Sequence, residues 1–430
     1  MKLTDLKKQN IILLGLGTEN FFLLLWLREQ GLTQSITIWD TLPKEKLGER
    51  YKFLVLDKNL TWILNKPLPK LKPYSLIVRS PGVFLKPDDR KKLEKKLTGP
   101  MQLFIDFCPT KNIIGVTGTK GKGTTSSLIY TIVKTAKKRA WLGGNIGVAP
   151  FSFINQIKTT DWVILELSSF QLQEVMTGPK ISVFTNFSPE HLSPADPNNP
   201  NHHTSLSDYW QAKMNITKGT NLLVVNNRLK LKVEGERLKV RIIYFTSSNL
   251  KSNLPGEHNK ENIAAAVEVA KTLKISQPTI IKALKKFKGL EYRLEKVSEK
   301  KGVLYYNDSF ATTPEATQTA LKSFTAPIIL LASGAEKKSD FSKLAKDIVK
   351  QVKYLVLFKG EATARIRKEV IKAGFKANNI VIANSMKEAI KKAQQKAIKG
   401  DIILMSPACA SFGMFKNYKD RGKQFTEGVK

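Results

Sequence analysis

The segment 115–125, Gly-Val-Thr-Gly-Thr-Lys-Gly-Lys-Gly-Thr-Thr, constrains this chain more than any other, because it joins an apolar run at Ile113 and Ile114 to a helix-like run over 126–133. A phosphate-binding loop needs that context. Glycines let backbone N–H groups turn inward onto anionic oxygens, the following helix offers its positive end, and a lysine adds a mobile charge for the β- and γ-phosphates. The spacing predicts a nucleoside triphosphate site on Gly118, Thr119, Lys120, Gly121, Lys122 and Gly123. The strict pattern wants glycine where Val116 stands and a hydroxyl where Gly123 stands, so Thr124 or Thr125 has to supply any magnesium-binding hydroxyl.

With 430 residues and 42% apolar composition, the chain can build two to four domains with cores of their own. Cys108 and Cys409 lie far apart without metal-ligand spacing, which argues against a disulfide scaffold or zinc site and fits a reducing cytosol. The early apolar stretches 11–16 and 21–27 are too short to span a bilayer, and no export signal is recognisable, so a cytoplasmic protein without integral membrane association is expected. A formal charge of +35 raises a nucleic-acid reading. The lysines are spread along the chain, as at Lys91-Lys92, Lys285-Lys286 and Lys391-Lys392, and fit solvated helix faces. No nucleic-acid partner is expected, and the charge instead favours solubility and attraction of an anionic substrate.

Residues 1–98 read as a small α/β unit: a strand ending in the turn Gly15-Leu16-Gly17, a helix to about Gln30, and a second strand closing on Asp40. This is a Rossmann outline with Asn20 in place of the third glycine. Residues 99–290 form a second α/β region with buried parallel strands at 162–166 and 181–186, a polar loop over 193–203, and a stretch over 221–245 that alternates like short antiparallel strands. Residues 291–430 alternate strand and helix regularly, which predicts a doubly wound third domain. Thr313-Pro314 fits an N-cap followed by proline, placing the Asn307-Asp308-Ser309 turn at a strand's C-terminal end, where open α/β sheets bind ligands.

Glu166 ends an apolar strand, and Ser168 and Gln171 follow it. A carboxylate buried there requires a cation or donor, and beside a phosphate loop the usual cation is Mg²⁺. His191 lies past the next strand on a loop that can reach the same side of the sheet. Lys213 falls in a helix that Ser205-Leu-Ser-Asp208 could open as a capping box, but by itself it is one lysine among many.

Taken together, Ser80-Pro-Gly82, the loop 115–125, Gly143-Gly-Asn-Ile-Gly147, Glu166-Leu-Ser-Ser-Phe-Gln-Leu172, Gly256-Glu-His-Asn259 with Asn262, Gly289-Leu-Glu-Tyr-Arg293, Asn307-Asp-Ser309, and Ser406-Pro-Ala-Cys-Ala-Ser411 with Arg421-Gly422 resemble the Mur ligases. These are the ATP-dependent amide-forming enzymes of peptidoglycan precursor synthesis, and the likeness runs to those adding D-glutamate to UDP-N-acetylmuramoyl-L-alanine. It implies three α/β domains: one for the UDP substrate, a central ATPase domain, and a third for the incoming amino acid. It also implies ATP and Mg²⁺ as cofactors, an acyl-phosphate intermediate, domain closure on binding, and a monomer.

By position, the resemblance assigns Gly15, Leu16, Gly17 and Ser80 to the UDP-substrate side, with Asp40 at the uracil. Lys122 would bind ATP phosphates, Thr124 would stand in for the missing hydroxyl, and Glu166 would hold the first magnesium. Asn145, Ser168 and Gln171 would meet the muramoyl-alanine portion. His191 would serve the second magnesium, and Lys213 would be the family's carbamylated lysine. Asn259 and Asn262 would contact adenine, Arg293 and Asp308 the nucleotide, and Lys337, Ser411 and Tyr418 the amino acid. Four features depart from the family: Gly123, Phe310 in place of a lysine, Ala335-Glu336 in place of Asp-Gly, and a longer 193–203 segment in which Ser193 replaces an aspartate. They leave open a sister activity toward L-glutamate or another amino acid, and a weakly catalytic nucleotide-binding scaffold.

Overall fold

The computed structural model describes residues 3–193, 201–335 and 339–430, so Lys337 lies outside the described residues. The chain packs as two compact units, residues 1–250 with 261–283, and residues 251–260 with 284–430.

The first unit carries two sheets. One contains β1 (Ile11–Leu14), β2 (Ile36–Asp40), β3 (Leu60–Leu64), β4 (Leu76–Arg79) and β5 (Leu97–Thr98), in the order β3-β2-β1-β4-β5 with every pair parallel. Helix α1 (Thr18–Glu29) follows β1 and buries Leu23, Leu24, Trp26 and Leu27, a helical spacing of apolar positions. Its N-cap is Gly17, so no side chain satisfies the first-turn N–H groups. They open at β1/β4, where the strand order reverses, the place where parallel sheets bind ligands.

The second sheet contains β6 (Ile113–Thr117), β7 (Ala140–Gly144), β8 (Trp162–Glu166), β9 (Ile181–Phe184), β10 (Leu222–Asn226) and β11 (Arg241–Phe245), ordered β11-β10-β9-β6-β8-β7. All of its pairs are parallel, including β10 with β11, which corrects the antiparallel reading of 221–245. Every residue of β10 is buried, as a central strand requires, and the helical turns at Asn227–Leu229 and Lys230–Glu234 make the crossover that a parallel pair needs. Helix α2 (Lys122–Thr135) leaves β6 beside β9, the second reversal of strand order. One continuous core links the two sheets: Trp26 packs its ring 5.1 Å from Phe151, and Phe151 lies 5.7 Å from the fully buried Phe104. Burying each such side chain contributes roughly 1.5–3 kcal/mol.

The second unit holds β12 (Glu295–Lys300), β13 (Val303–Asn307), β14 (Ile328–Ala332), β15 (Val352–Phe358), β16 (Ile380–Ala383) and β17 (Ile402–Met405), ordered β12-β13-β17-β14-β15-β16. The alternating pattern expected from sequence is present, with one addition. The polar strand β12 pairs antiparallel with β13, because Lys301 and Gly302 both adopt positive φ (51° and 73°), the two-residue turn that joins antiparallel strands. As the sequence predicts, Thr313 Oγ1 accepts the Ala316 N–H and Pro314 opens the following helix.

Candidate active site

The phosphate loop is held from both sides. Gly118 has φ 146°, and a Cβ there would sit 1.9 Å from Thr185 Oγ1 at the end of β9. Gly121 caps α2 in the left-handed region (φ 81°), and a Cβ there would come within 2.3 Å of Asn262 Oδ1. Both positions therefore require glycine. Thr119 N–H donates to Asn186 O (2.9 Å), Lys120 N–H donates to Asn186 Oδ1 (2.8 Å), and Lys120 pairs with Glu190. Of the two candidate hydroxyls, Thr125 is buried and donates to Asn262 Oδ1 at 3.3 Å, whereas Thr124 is half-buried. Thr124 is the one accessible to a ligand.

Lys122 opens α2 and folds back over the loop, donating to Gly118 O (3.1 Å) and Thr119 O (3.0 Å). Lys213 belongs to helix α4 (Leu206–Met214), numbered after the short α3 (Ser169–Leu172), and reaches the same Gly118 carbonyl at 2.8 Å. It is 1% exposed, and its Nζ lies 4.6 Å from the centre of the Tyr209 ring. Burial, then the charge of Lys122, hold its amine well below the ordinary lysine range, which favours release of its proton. The capping box expected at 205–208 is half formed. Ser205 Oγ accepts the Asp208 N–H, while the Asp208 carboxylate turns away to accept from Thr204 N–H (3.1 Å).

Glu166 is buried at the end of β8, where its Oε1 accepts from Asn145 Nδ2 (2.9 Å) and its carbonyl accepts the Asn145 N–H (2.9 Å). His191 has positive φ (60°), and its ring packs edge-on against Phe170 and Tyr209. Burial and the charges of Lys213 and Lys122, only partly offset by Glu190, bring it down to about 4, leaving a neutral imidazole at neutral pH. Among the described residues no three His, Cys, Asp or Glu side chains are gathered into one cluster. Mg²⁺ takes few protein ligands, all oxygens, and completes its octahedron with water and substrate phosphates, so the buried Glu166 carboxylate and the Thr124 hydroxyl are donors of the kind that ion takes.

The glycine turn after β1 packs on Ser80. A Cβ on Gly17 would lie 2.7 Å from Ser80 Oγ, and one on Gly15 would lie 2.7 Å from Val83 Cγ2. Asp40 fixes the same turn, accepting the N–H groups of Leu16 (2.7 Å) and Leu42 (2.9 Å). Ser168 and Gln171 form a reciprocal capping box on α3: Ser168 Oγ accepts the Gln171 N–H, and Gln171 Oε1 accepts the Ser168 N–H.

In the second unit, Asp308 at the end of β13 accepts from Ser406 Oγ (2.7 Å) and Leu294 N–H (3.2 Å). Its burial raises the carboxyl to about 7 against the lowering effect of those bonds and of Arg293 and Arg421. The Arg293 guanidinium stacks 3.8 Å over the Phe310 ring, and Phe310 meets Tyr418 edge-on at 5.2 Å. Ser411 is buried, and Asn259 Nδ2 donates to Pro255 O (2.7 Å).

Sequence reasoning missed His203. The end of the 193–203 segment is no surface loop: Asn201 and His203 are both buried. His203 bridges Ser169 Oγ (2.9 Å, Nε2) and Asp208 Oδ2 (3.3 Å, Nδ1), and its ring stacks on Phe170 at 4.8 Å. Ser169 is buried, so this chain of side chains clasps α4 to α3 and offers no nucleophile. It steadies the helix that carries Lys213. Tyr209, also missed, is fully buried and shares a hydrogen bond with Thr119 Oγ1 (3.1 Å). The histidine pair followed by a helix-capping Ser205 was the available signal.

Comparison with known proteins agrees with this arrangement. Residues 116–250 match the Mur ligase middle domain, and residues 292–409 match the Mur ligase glutamate ligase domain. The UDP-N-acetylmuramoylalanine--D-glutamate ligase of Clostridium botulinum is 36% identical over 455 aligned residues, covering 98% of this chain and 96% of its own. The protein of the same name from Clostridium kluyveri is 35% identical, covering 99% and 97%. The fold is that of UDP-N-acetylmuramate-alanine ligase from Thermotoga maritima, with a TM-score of 0.57 at 18% identity over 97% of this chain and 98% of that one. With its phosphate loop, buried lysine and near full-length relatives, the chain belongs to the Mur ligase family.

Proposed function

We propose that the protein is an ATP-dependent ligase that joins D-glutamate to UDP-N-acetylmuramoyl-L-alanine, a cytoplasmic step of peptidoglycan precursor synthesis. The observation that carries this reading is the near full-length 36% identity to a ligase of that name. The convergence of Lys122 and Lys213 on Gly118 supports it. The proposed division is 1–98 for the UDP substrate, 99–290 for ATP, and 291–430 for the amino acid.

A carboxylate does not condense with an amine at neutral pH, because oxide is a poor leaving group. In the proposed reaction the substrate carboxylate oxygen attacks the γ-phosphorus of ATP and releases ADP. The glutamate amine then attacks the acyl carbon, and phosphate departs from the tetrahedral intermediate. The loop amides of 118–123 and the Lys122 ammonium would hold the phosphates and offset charge on the transferring group. Glu166 and Thr124 would hold Mg²⁺, which when bound supplies positive charge to the phosphoryl oxygens, and His191 would serve the second ion. Burial favours the neutral form of the Lys213 amine, the form that would add to CO₂, forming an N–C bond and shedding a proton, so that a buried base would become an anionic oxygen ligand. Gly15, Leu16, Gly17, Ser80 and Asp40 would form the uridine diphosphate side, and Asn145, Ser168 and Gln171 the muramoyl-alanine side. Asn259, Asn262, Arg293 and Asp308 would meet the nucleotide, and Lys337, Ser411 and Tyr418 the amino acid.

The test is phosphate release with ATP, Mg²⁺ and UDP-N-acetylmuramoyl-L-alanine, offering D-glutamate and L-glutamate in parallel and identifying the product by mass and chirality. Release with D-glutamate alone is expected. Release with L-glutamate alone would move the protein to a sister activity, and release with neither would overturn the reading.

A further inference from the structure

Glu19 sits in the first turn of α1, directly after the Gly15-Leu-Gly17 turn, and shares a small pocket with Pro100, Met101, Phe104, Pro150 and Phe151. Oε1 accepts a hydrogen bond from Gln171 Nε2, and Oε2 is buried without a partner among the described residues. An acid in apolar surroundings with a single hydrogen-bond donor and no cation costs stability, so its place needs a reason. Gln171 gives one. Its Oε1 already accepts the Ser168 N–H, and one of its two amide hydrogens is taken by Glu19. The amide can neither flip nor rotate without losing both bonds, and a single N–H remains to offer a substrate oxygen.

We infer that Glu19 is a positioning residue for the UDP-substrate site: it locks the Gln171 amide so that its free N–H faces an acceptor, a carboxylate or carbonyl oxygen, on the muramoyl-alanine end of the substrate. This rests on the proposed function, and it adds a residue of helix α1 to a contact that Gln171 of helix α3 would make. Raised to about 7 chiefly by burial, the carboxyl keeps an acceptor oxygen toward Gln171 in either protonation state. Glu19→Leu removes that acceptor, whereas Glu19→Gln retains one.

The experiment measures KM for UDP-N-acetylmuramoyl-L-alanine and for ATP in Glu19→Leu, Glu19→Gln and Gln171→Ala, with thermal melting to show that each is folded. Glu19→Leu is expected to raise the KM for the UDP substrate about tenfold, the worth of one well-placed hydrogen bond, while the KM for ATP and kcat stay within about twofold. Glu19→Gln is expected to restore the parental KM. A Glu19→Leu enzyme whose UDP-substrate KM is unchanged, or whose two KM values rise together, would overturn the inference, as would a Glu19→Gln enzyme as impaired as Glu19→Leu. If Gln171→Ala also leaves the UDP-substrate KM unchanged, the site reading itself fails; if Gln171→Ala raises it and Glu19→Leu does not, only the role of Glu19 fails.

Discussion

Lys122 and Lys213 donate to one acceptor: the Gly118 carbonyl oxygen lies 3.1 Å from the first Nζ and 2.8 Å from the second. Two ammonium groups sharing one oxygen repel each other, and the one deeper in the protein loses its proton more readily. That one is Lys213, at 1% exposure. The arrangement sets two chemically identical side chains apart: Lys122 is half-buried beside the phosphate loop, while burial holds the Lys213 amine well below the ordinary lysine range.

A buried lysine held below its ordinary range has a measurable cost. Its folded-state pKa is depressed below the ordinary lysine value of 10.5, so the unfolded chain binds a proton that the native one does not, and stability rises with pH until about 10.5 is reached. Replacing Lys213 with Met removes that penalty. Lys213→Met is expected to lose ligation by about 10²-fold or more, yet to melt above the parent near neutral pH, with the gap closing toward pH 10.5. Equal melting at all pH values would show that the amine is charged in the fold. Lys213→Arg is also expected to be inactive, since a guanidinium stays protonated and cannot add CO₂.

The loop glycines are testable one by one. Gly118→Ala would place a methyl group 1.9 Å from Thr185 Oγ1 at φ 146°, so the loop has to move. Thr185 also binds the Lys120 carbonyl (2.6 Å), so displacing it loosens the phosphate cradle. The expected result is loss of ATP binding in calorimetry, with a stability cost of about 1–3 kcal/mol for a residue forced into such a region. ATP affinity within about twofold of the parent would contradict this role for the glycine.

Asp308 makes a pH prediction in the second unit. Its carboxyl is raised from 3.8 to about 7, so the native state holds a proton that the unfolded chain has released, and stability falls as pH climbs through that window, then levels off above it. The Asp308→Asn variant, with an amide that does not titrate, carries no such loss. Its stability relative to the parent, from denaturant melts, is expected to increase between about pH 4 and pH 8 by on the order of a few kcal/mol, at about 1.4 kcal/mol for each pH unit separating the folded and unfolded values. A flat difference across that range would mean that Asp308 is ionised throughout.

The phosphate loop, the strand alternation of the third sheet and the acid at Glu166 were legible because each rests on local residue chemistry: glycine conformation, apolar periodicity, a carboxylate at a strand end. Lys213 was selected by family resemblance alone, since burial is a tertiary property and 71 lysines and arginines look alike in a sequence of this charge. His203 and Tyr209 stayed hidden for the same reason, as their partners Ser169 and Thr119 lie 34 and 90 residues away. The direction of β11 was misread because its alternation reflects a half-exposed edge strand, a pattern that parallel and antiparallel edges share. The Glu19–Gln171 bond joins residues 152 positions apart, and no local pattern announces it.

Phe310 makes a contact that can be tested directly. A lysine at that position would bring a mobile charge; here an aromatic face instead carries the Arg293 guanidinium at 3.8 Å and leans on Tyr418. A stacked guanidinium is pre-organised, and such contacts are worth about 0.5–2 kcal/mol depending on desolvation. Phe310→Ala removes the stacked face from Arg293, and with Arg293 in its proposed role at the nucleotide the KM for ATP is expected to rise about three- to tenfold, with little change in melting because Phe310 is 41% exposed. Phe310→Lys sets two cations side by side and is expected to be worse than Phe310→Ala at low salt, recovering toward it as salt screens the repulsion. A Phe310→Lys enzyme that outperforms the parent in ligation would show that Arg293 gains nothing from the stack.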